Sequence, residues 1–241
     1  MLCKTKGIVL HSLKYGDTGL VVTIYTEAFG RMSFLLQGVR GKKSLRKANL
    51  LQPLFLLDIE ADQKPGRELQ RVKELKIAVP YTSIPFEIAK STQAIFLAEI
   101  LYKVLREEES RPELFGFLFN SLQVLDLISD GISNFHLIFL VQLSRYLGFG
   151  PSENYSESSP FFDLIAGTFT MAAPSHPHFM NRDESLIFSK LINMNYQDCH
   201  ELHIGKINRQ NLLNLMIDYY SLHIGINIKI KSLDVLHEIF Q

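Results

Sequence analysis

An α+β fold, strands first and helices second, is what the sequence predicts. Three observations carry that reading. Five short β-branched or aromatic runs, separated by turn residues, fill the first 80 residues. The apolar period lengthens to that of helices after Val79-Pro80. The formal net charge of zero hides a division: residues 1–80 hold 14 Lys and Arg against 7 Asp and Glu, and the remainder holds 11 against 18. Two domains, 1–80 and 81–241, are expected, and only the first is basic enough to attract a polyanion.

The strand runs follow in order. Ile8–Leu13 ends at Tyr15-Gly16-Asp17, and Leu20–Thr26 closes at Gly30. Arg31–Gln37 stops at Gly38. Leu50–Ile59 carries Pro53 near its start, where a missing N–H does least harm. Asp62–Gly66 reads as a turn, and Leu69–Ile77 alternates imperfectly. Five strands in so short a stretch fit a small closed barrel, because closure removes exposed edges. The five-stranded oligonucleotide-binding (OB) barrel is the leading candidate.

Tyr81–Pro85 is expected to link the two halves, and a helix of about 24 residues should follow from Phe86. Ser110-Arg111-Pro112-Glu113 has the form of a capping box and opens a helix running to Ile128, broken by Asp130-Gly131. Phe135–Leu147 is apolar almost all round, as a central bundle helix would be. Residues 150–160 form a polar loop. Phe161–Leu164 and Thr168–Met171 can pair as a hairpin across Ala166-Gly167. Asn181-Arg182-Asp183-Glu184 caps a further helix, and residues 208–224 form the last long one.

Several function classes are excluded. A hydrophobic fraction of 46% excludes a disordered chain. Two cysteines, Cys3 and Cys199, exclude a disulfide scaffold and a four-cysteine zinc site. The first residues lack a signal-peptide core, and no run reaches the ~18 apolar residues of a membrane span, so a cytoplasmic protein is expected. No nucleophile elbow, HExxH pair or Rossmann fingerprint occurs, and no carboxylates pair at a catalytic spacing. An enzyme and a bound cofactor are therefore not expected. Cys199-His200-Glu201-Leu202-His203 offers at most three metal ligands and reads as a polar turn.

The strongest chemical feature is Arg31, Arg40, Lys42, Lys43, Arg46 and Lys47, six cations with no acid from residue 31 to residue 47. Gly38 and Gly41 punctuate it, letting backbone approach a phosphate while the cationic heads neutralise it. The spacing is not that of a P-loop, which needs four residues between its first glycine and Gly-Lys-Ser/Thr. The plain alternative is a charged loop kept for solubility. Tyr15, Tyr25, Phe29, Phe34 and Phe55 could stack on bases if they point outward, although an aromatic within a strand is more often core.

The chain also resembles the bacterial RecO family of recombination mediators. The resemblance rests on Tyr15-Gly16-Asp17, Thr26, Gly30, the run Gly38–Ser44 and Leu51-Gln52-Pro53-Leu54. It continues through Leu147-Gly148-Phe149, Pro160–Leu164 and the ending Lys231–Leu236. It implies an OB barrel and a helical C-terminal domain. It also implies binding of single- and double-stranded DNA, strand annealing, and partnership with RecR and single-stranded DNA-binding protein while the RecA recombinase is loaded. Many members carry a four-cysteine zinc motif after the Leu-Gly-Phe/Tyr segment. Residues 149–180 here contain no cysteine, so zinc is not carried over and packing of Phe161, Phe162 and Phe169 is expected to hold that segment. The acidic second domain is expected to meet proteins; the family's partner, single-stranded DNA-binding protein, offers an acidic tail with an apolar end, whose receptor needs an apolar groove with a Lys or Arg nearby. The alternative function is a protein–protein adaptor that does not touch DNA.

Overall fold

The computed structural model describes residues 2–37, 49–64 and 66–240. The alternating runs form five strands, β1 (Leu2–Tyr15), β2 (Gly19–Thr26), β3 (Gly30–Leu36), β4 (Leu56–Asp62) and β5 (Leu69–Ile77). They close into a barrel in the order β1-β2-β3-β5-β4. Among the described strands of the barrel, only β3 and β5 pair in parallel. One long strand makes closure possible: the first half of β1 pairs with β4 and its second half with β2. Gly7 sits where the two ladders overlap, and a Cβ there would lie 2.6 Å from the side chains of both Ile24 and Ile59.

Alternation points Val22 and Ile24, Phe34 and Leu36, and Leu57, Ile59 and Ala61 into the barrel with Val9. The imperfect pattern of β5 has a cause. A bulge shifts the register so that Glu60 faces Glu74 while Ala61 faces Val72. Val72 and Leu75, three apart, then both reach the core.

The fourth strand differs from its expected start. It begins at Leu56, not Leu50, and Pro53 lies in a turn ahead of it. Leu50, Leu51 and Phe55 are apolar because they plug the barrel interior. Leu54 takes a positive φ of 63° there, tied by its N–H to the Val9 carbonyl at 2.7 Å.

The described helices are α1 (Ile88–Val104), α2 (Pro112–Leu127), α3 (Ile132–Tyr146), α4 (Arg182–Ile192), α5 (Lys206–Ile224) and α6 (Leu233–Ile239). None is long and apolar enough to cross a membrane. Helix α1 is shorter than its expected length of about 24 residues. Ser110 does not cap α2; its hydroxyl donates to the Glu27 carbonyl at 2.7 Å, and the helix opens at Pro112. At α4 the Asn181 side chain accepts from the N–H groups of Asp183 and Glu184, and Glu184 accepts the Asn181 N–H in return.

The chain divides into two compact units, Met1–Asp126 and Leu127–Gln241. The change from strand to helix comes near residue 80, but α1 and α2 belong with the barrel. A buried clasp secures them. The Asp126 carboxylate accepts from the N–H groups of Thr82, Ser83 and Ile84 at 2.8–2.9 Å. Lys90, also buried, donates to Ser83 Oγ and to the Asp126 carbonyl. In the second unit α3 is buried nearly all round, from Phe135 to Leu143. The expected hairpin, β6 (Phe161–Asp163) and β7 (Thr168–Thr170), gains a third strand, β8 (Phe179–Met180). Helix α6 and strand β8 have no counterpart in the sequence reading.

Candidate nucleic-acid interface

The barrel's outer surface is not uniform. Ile8 and Tyr25 are cross-strand partners whose side chains face away from the interior set, yet they are 0% and 2% exposed. Helices roof them. The Tyr25 ring stacks 6.4 Å from Phe115 of α2, and His11 lies 4.6 Å from Tyr102 of α1. Burial pushes the Tyr25 hydroxyl up to about 12. The β2–β3 turn is stitched to the chain between α1 and α2. Arg31 N–H donates to the Glu107 carbonyl at 3.0 Å. Gly30, at φ +64°, passes so close that a Cβ would stand 2.3 Å from the Glu109 oxygen.

Arg31 therefore departs from the expectation that six cationic heads face a polyanion. Its Nη1 donates to the carbonyls of Tyr102 and Leu105, each at 2.8 Å, and its guanidinium lies 4.6 Å from the Tyr102 ring centroid. A cation on the last carbonyls of α1 is favourable for the helix dipole, so Arg31 is a strut between β3 and α1. The other five, Arg40, Lys42, Lys43, Arg46 and Lys47, lie outside the described residues. Among the aromatics, Tyr25 and Phe34 are buried, Phe55 packs edge-on to Tyr81, Tyr15 is exposed beside the β1–β2 turn, and Phe29 is half-buried.

On the wall of β1, β4 and β5 two cations are paired with acids. Lys4 lies 3.6 Å from Glu60, and Lys76 lies 2.9 Å from Glu74. Cross-strand register also sets Lys6 and Lys76 opposite Asp58. The turn from β4 to β5 is different. Lys64 and Arg67 are exposed there and line an open cleft of about 530 Å³ together with Phe29, Met32 and Ser33. Sequence reasoning passed over these two cations because it took Asp62–Gly66 only as punctuation. Two basic residues flanking a Pro-Gly turn were the available signal.

In the second unit Lys206, Arg209, His136 and His237 share one small recess. Arg209 again acts as a strut, donating to Asn134 Oδ1 and the Ile204 carbonyl. Burial, reinforced by Arg209, holds His136 neutral with its pKa lowered to about 3. His200 and His203 each meet a neighbouring backbone carbonyl through Nδ1. Burial raises the Cys199 thiol to about 11.

Comparison with known proteins agrees with this architecture. Residues 1–81 match the family model described as "Recombination protein O N terminal", and residues 85–234 match "Recombination protein O C terminal". The DNA repair protein RecO of Bacteroides fragilis is 43% identical over 241 residues, covering all of both chains. RecO proteins of Phocaeicola vulgatus and Flavobacterium psychrophilum are 43% and 39% identical, again over the full length of both chains. The chain belongs to the RecO family of DNA repair proteins.

Within this RecO-family chain the cysteine-free segment 149–180 is held by packing and hydrogen bonds. Phe162 is fully buried, with ring contacts to Phe169 at 4.9 Å and Phe188 at 4.7 Å. Phe161 meets Phe179 edge-on. Asn154 fastens the incoming loop, accepting from the Phe169 N–H and donating to the Phe169 carbonyl. Asp163 closes the β6–β7 turn by accepting from the N–H groups of Ile165 and Ala166. Among the described residues, no three His, Cys, Asp or Glu side chains gather as they would around a metal ion.

Proposed function

We propose that this protein is a non-enzymatic recombination mediator of the cytoplasm. It binds single- and double-stranded DNA through the backbone and anneals strands. With RecR and single-stranded DNA-binding protein it helps load RecA. The observation that carries this reading is an OB-type barrel whose β3–β4 connection contains Arg40, Lys42, Lys43, Arg46 and Lys47 without an acid. Full-length similarity to DNA repair proteins named RecO supports the same reading.

Phosphate contacts position a nucleic acid without reading its sequence. A cationic segment also offsets the repulsion between two strands brought together, which gives annealing a physical basis. Arg31 is left out of this set because its Nη1 ties β3 to the end of α1. The acidic tail of single-stranded DNA-binding protein would be met by the helical unit.

An annealing assay on bare and protein-coated complementary strands tests the proposal. Annealing should survive coating and weaken with salt. Engagement of about five phosphates predicts a slope near −3.5 for log affinity against log salt on single strands. Replacing Arg40, Lys42 and Lys43 together by alanine should weaken all DNA sequences about equally. Affinity that ignores salt overturns backbone binding and leaves the adaptor reading.

A further inference from the structure

The β4–β5 turn is built to hold its cations in place. Gln70 is 5% exposed, so its amide has no solvent to satisfy it. Its Nε2 donates to the Lys64 carbonyl at 3.0 Å and the Arg67 carbonyl at 2.7 Å, while its Oε1 accepts the Lys64 N–H at 2.9 Å. One buried side chain thus fixes the backbone under both exposed heads. A turn ordered in advance loses less entropy when a ligand arrives.

The same cleft carries a second chemistry. Phe29 and Met32 offer apolar surface, and Ser33 offers a hydroxyl. Glu68 and Glu108 stand at the same cleft. Arg31 lines it too, with its Nη1 already spent on α1. Two cations, an aromatic ring and two carboxylates around one cleft suit one polyanionic chain with a base turned inward. A duplex would bring a second phosphate chain against those carboxylates and offers no free base. The volume, about 530 Å³, lies in the range of about 300–1,000 Å³ of sites that enclose a small ligand.

We propose that this cleft is a single-strand station, in which Lys64 and Arg67 take successive phosphates and an unpaired base stacks on Phe29. Gln70 is the positioning residue. This rests on the DNA-binding reading above and assigns binding of unpaired strand to one place.

The test uses the full chain and two labelled probes, an oligothymidylate and a blunt duplex, titrated at several salt concentrations. The joint change Lys64→Ala and Arg67→Ala should weaken oligothymidylate binding about tenfold at low salt. It should also reduce the steepness of the log–log salt slope by about 1.4, two contacts' worth. Duplex affinity should stay within about twofold. Phe29→Ala should cost about tenfold on the single strand, and Phe29→Tyr, which keeps a stacking face, should restore it. Unchanged single-strand affinity in these variants, with loss on replacing Arg40, Lys42 and Lys43, overturns the station and leaves the DNA reading standing. Equal losses on duplex also overturn it. A wild-type chain that binds neither probe overturns the DNA reading itself. Loss of polyglutamate binding with intact DNA binding overturns the station in favour of an acidic protein partner.

Discussion

Two sides of one barrel, built on the same strand alternation, have opposite fates. On β1 and β2 the outward residues Ile8 and Tyr25 are apolar and lie under α1 and α2. Along β3 and the β4–β5 turn the outward residues border an open cleft and include exposed Lys64 and Arg67. The arginine nearest the boundary, Arg31, serves the closed side. Closeness in sequence to a basic run therefore does not make a cation a ligand contact. The carbonyls within reach of its guanidinium decide.

The largest way to break this contrast is to remove the roof. A fragment of residues 1–80 should fail to unfold cooperatively, because it exposes Ile8 and Tyr25 together, whereas residues 1–126 should show a single thermal transition by circular dichroism. A cooperative 1–80 fragment would mean that the helices are dispensable to the barrel. Next, Tyr25→Ala should lower unfolding free energy by about 3–4 kcal/mol in urea titration, the cost of an aromatic truncated in a tight site. Its DNA salt slope should not change.

The clasp that holds the roof should respond to acid. Burial alone would raise the Asp126 pKa, but the N–H donors of Thr82, Ile84 and Ser83 outweigh it and lower the carboxyl to about 2. A depressed folded pKa stabilises above the unfolded value, near 3.8, and that contribution is lost as pH falls toward 2. About 2 kcal/mol should disappear across that window in pH-dependent melts, and Asp126→Asn should flatten the change. An effect of similar size sharpens the assignment of Arg31. Arg31→Ala should cost about 2 kcal/mol of stability through two lost charged hydrogen bonds. Arg31→Lys, which keeps the charge without the fork, should recover only part of it. If Arg31→Lys is fully stable while Arg31→Ala loses DNA affinity, the residue is a phosphate contact after all.

Much of the fold was legible in the residues. Leu20–Thr26, Arg31–Gln37 and Leu69–Ile77 became strands within a few residues of their expected bounds. Asn181 caps α4 through the contacts its spacing foretold. These features are local, set by alternation, turn residues and a side chain that reaches its own helix end. The failures share a cause. Leu50–Phe55 is apolar like a strand, but its partner is the barrel interior. Ser110 has the spacing of a cap, but its hydroxyl meets the distant Glu27 carbonyl. At the candidate site, the excess of cations was visible, whereas the loss of Arg31 to α1 and the fixing of Lys64 and Arg67 by Gln70 were not.

The sequence by itself determined where strands stop and helices start, that cations concentrate in the first third, and that residues 149–180 lack cysteine ligands. These follow from composition and from periods of two and 3.6 residues, which each segment carries alone. Only the tertiary structure decided which wall of the barrel stays open, because that depends on helices arriving from 88–127 to cover Ile8 and Tyr25. Burial and hydrogen-bond partnership are properties of pairs distant along the chain, and no single stretch of residues contains them.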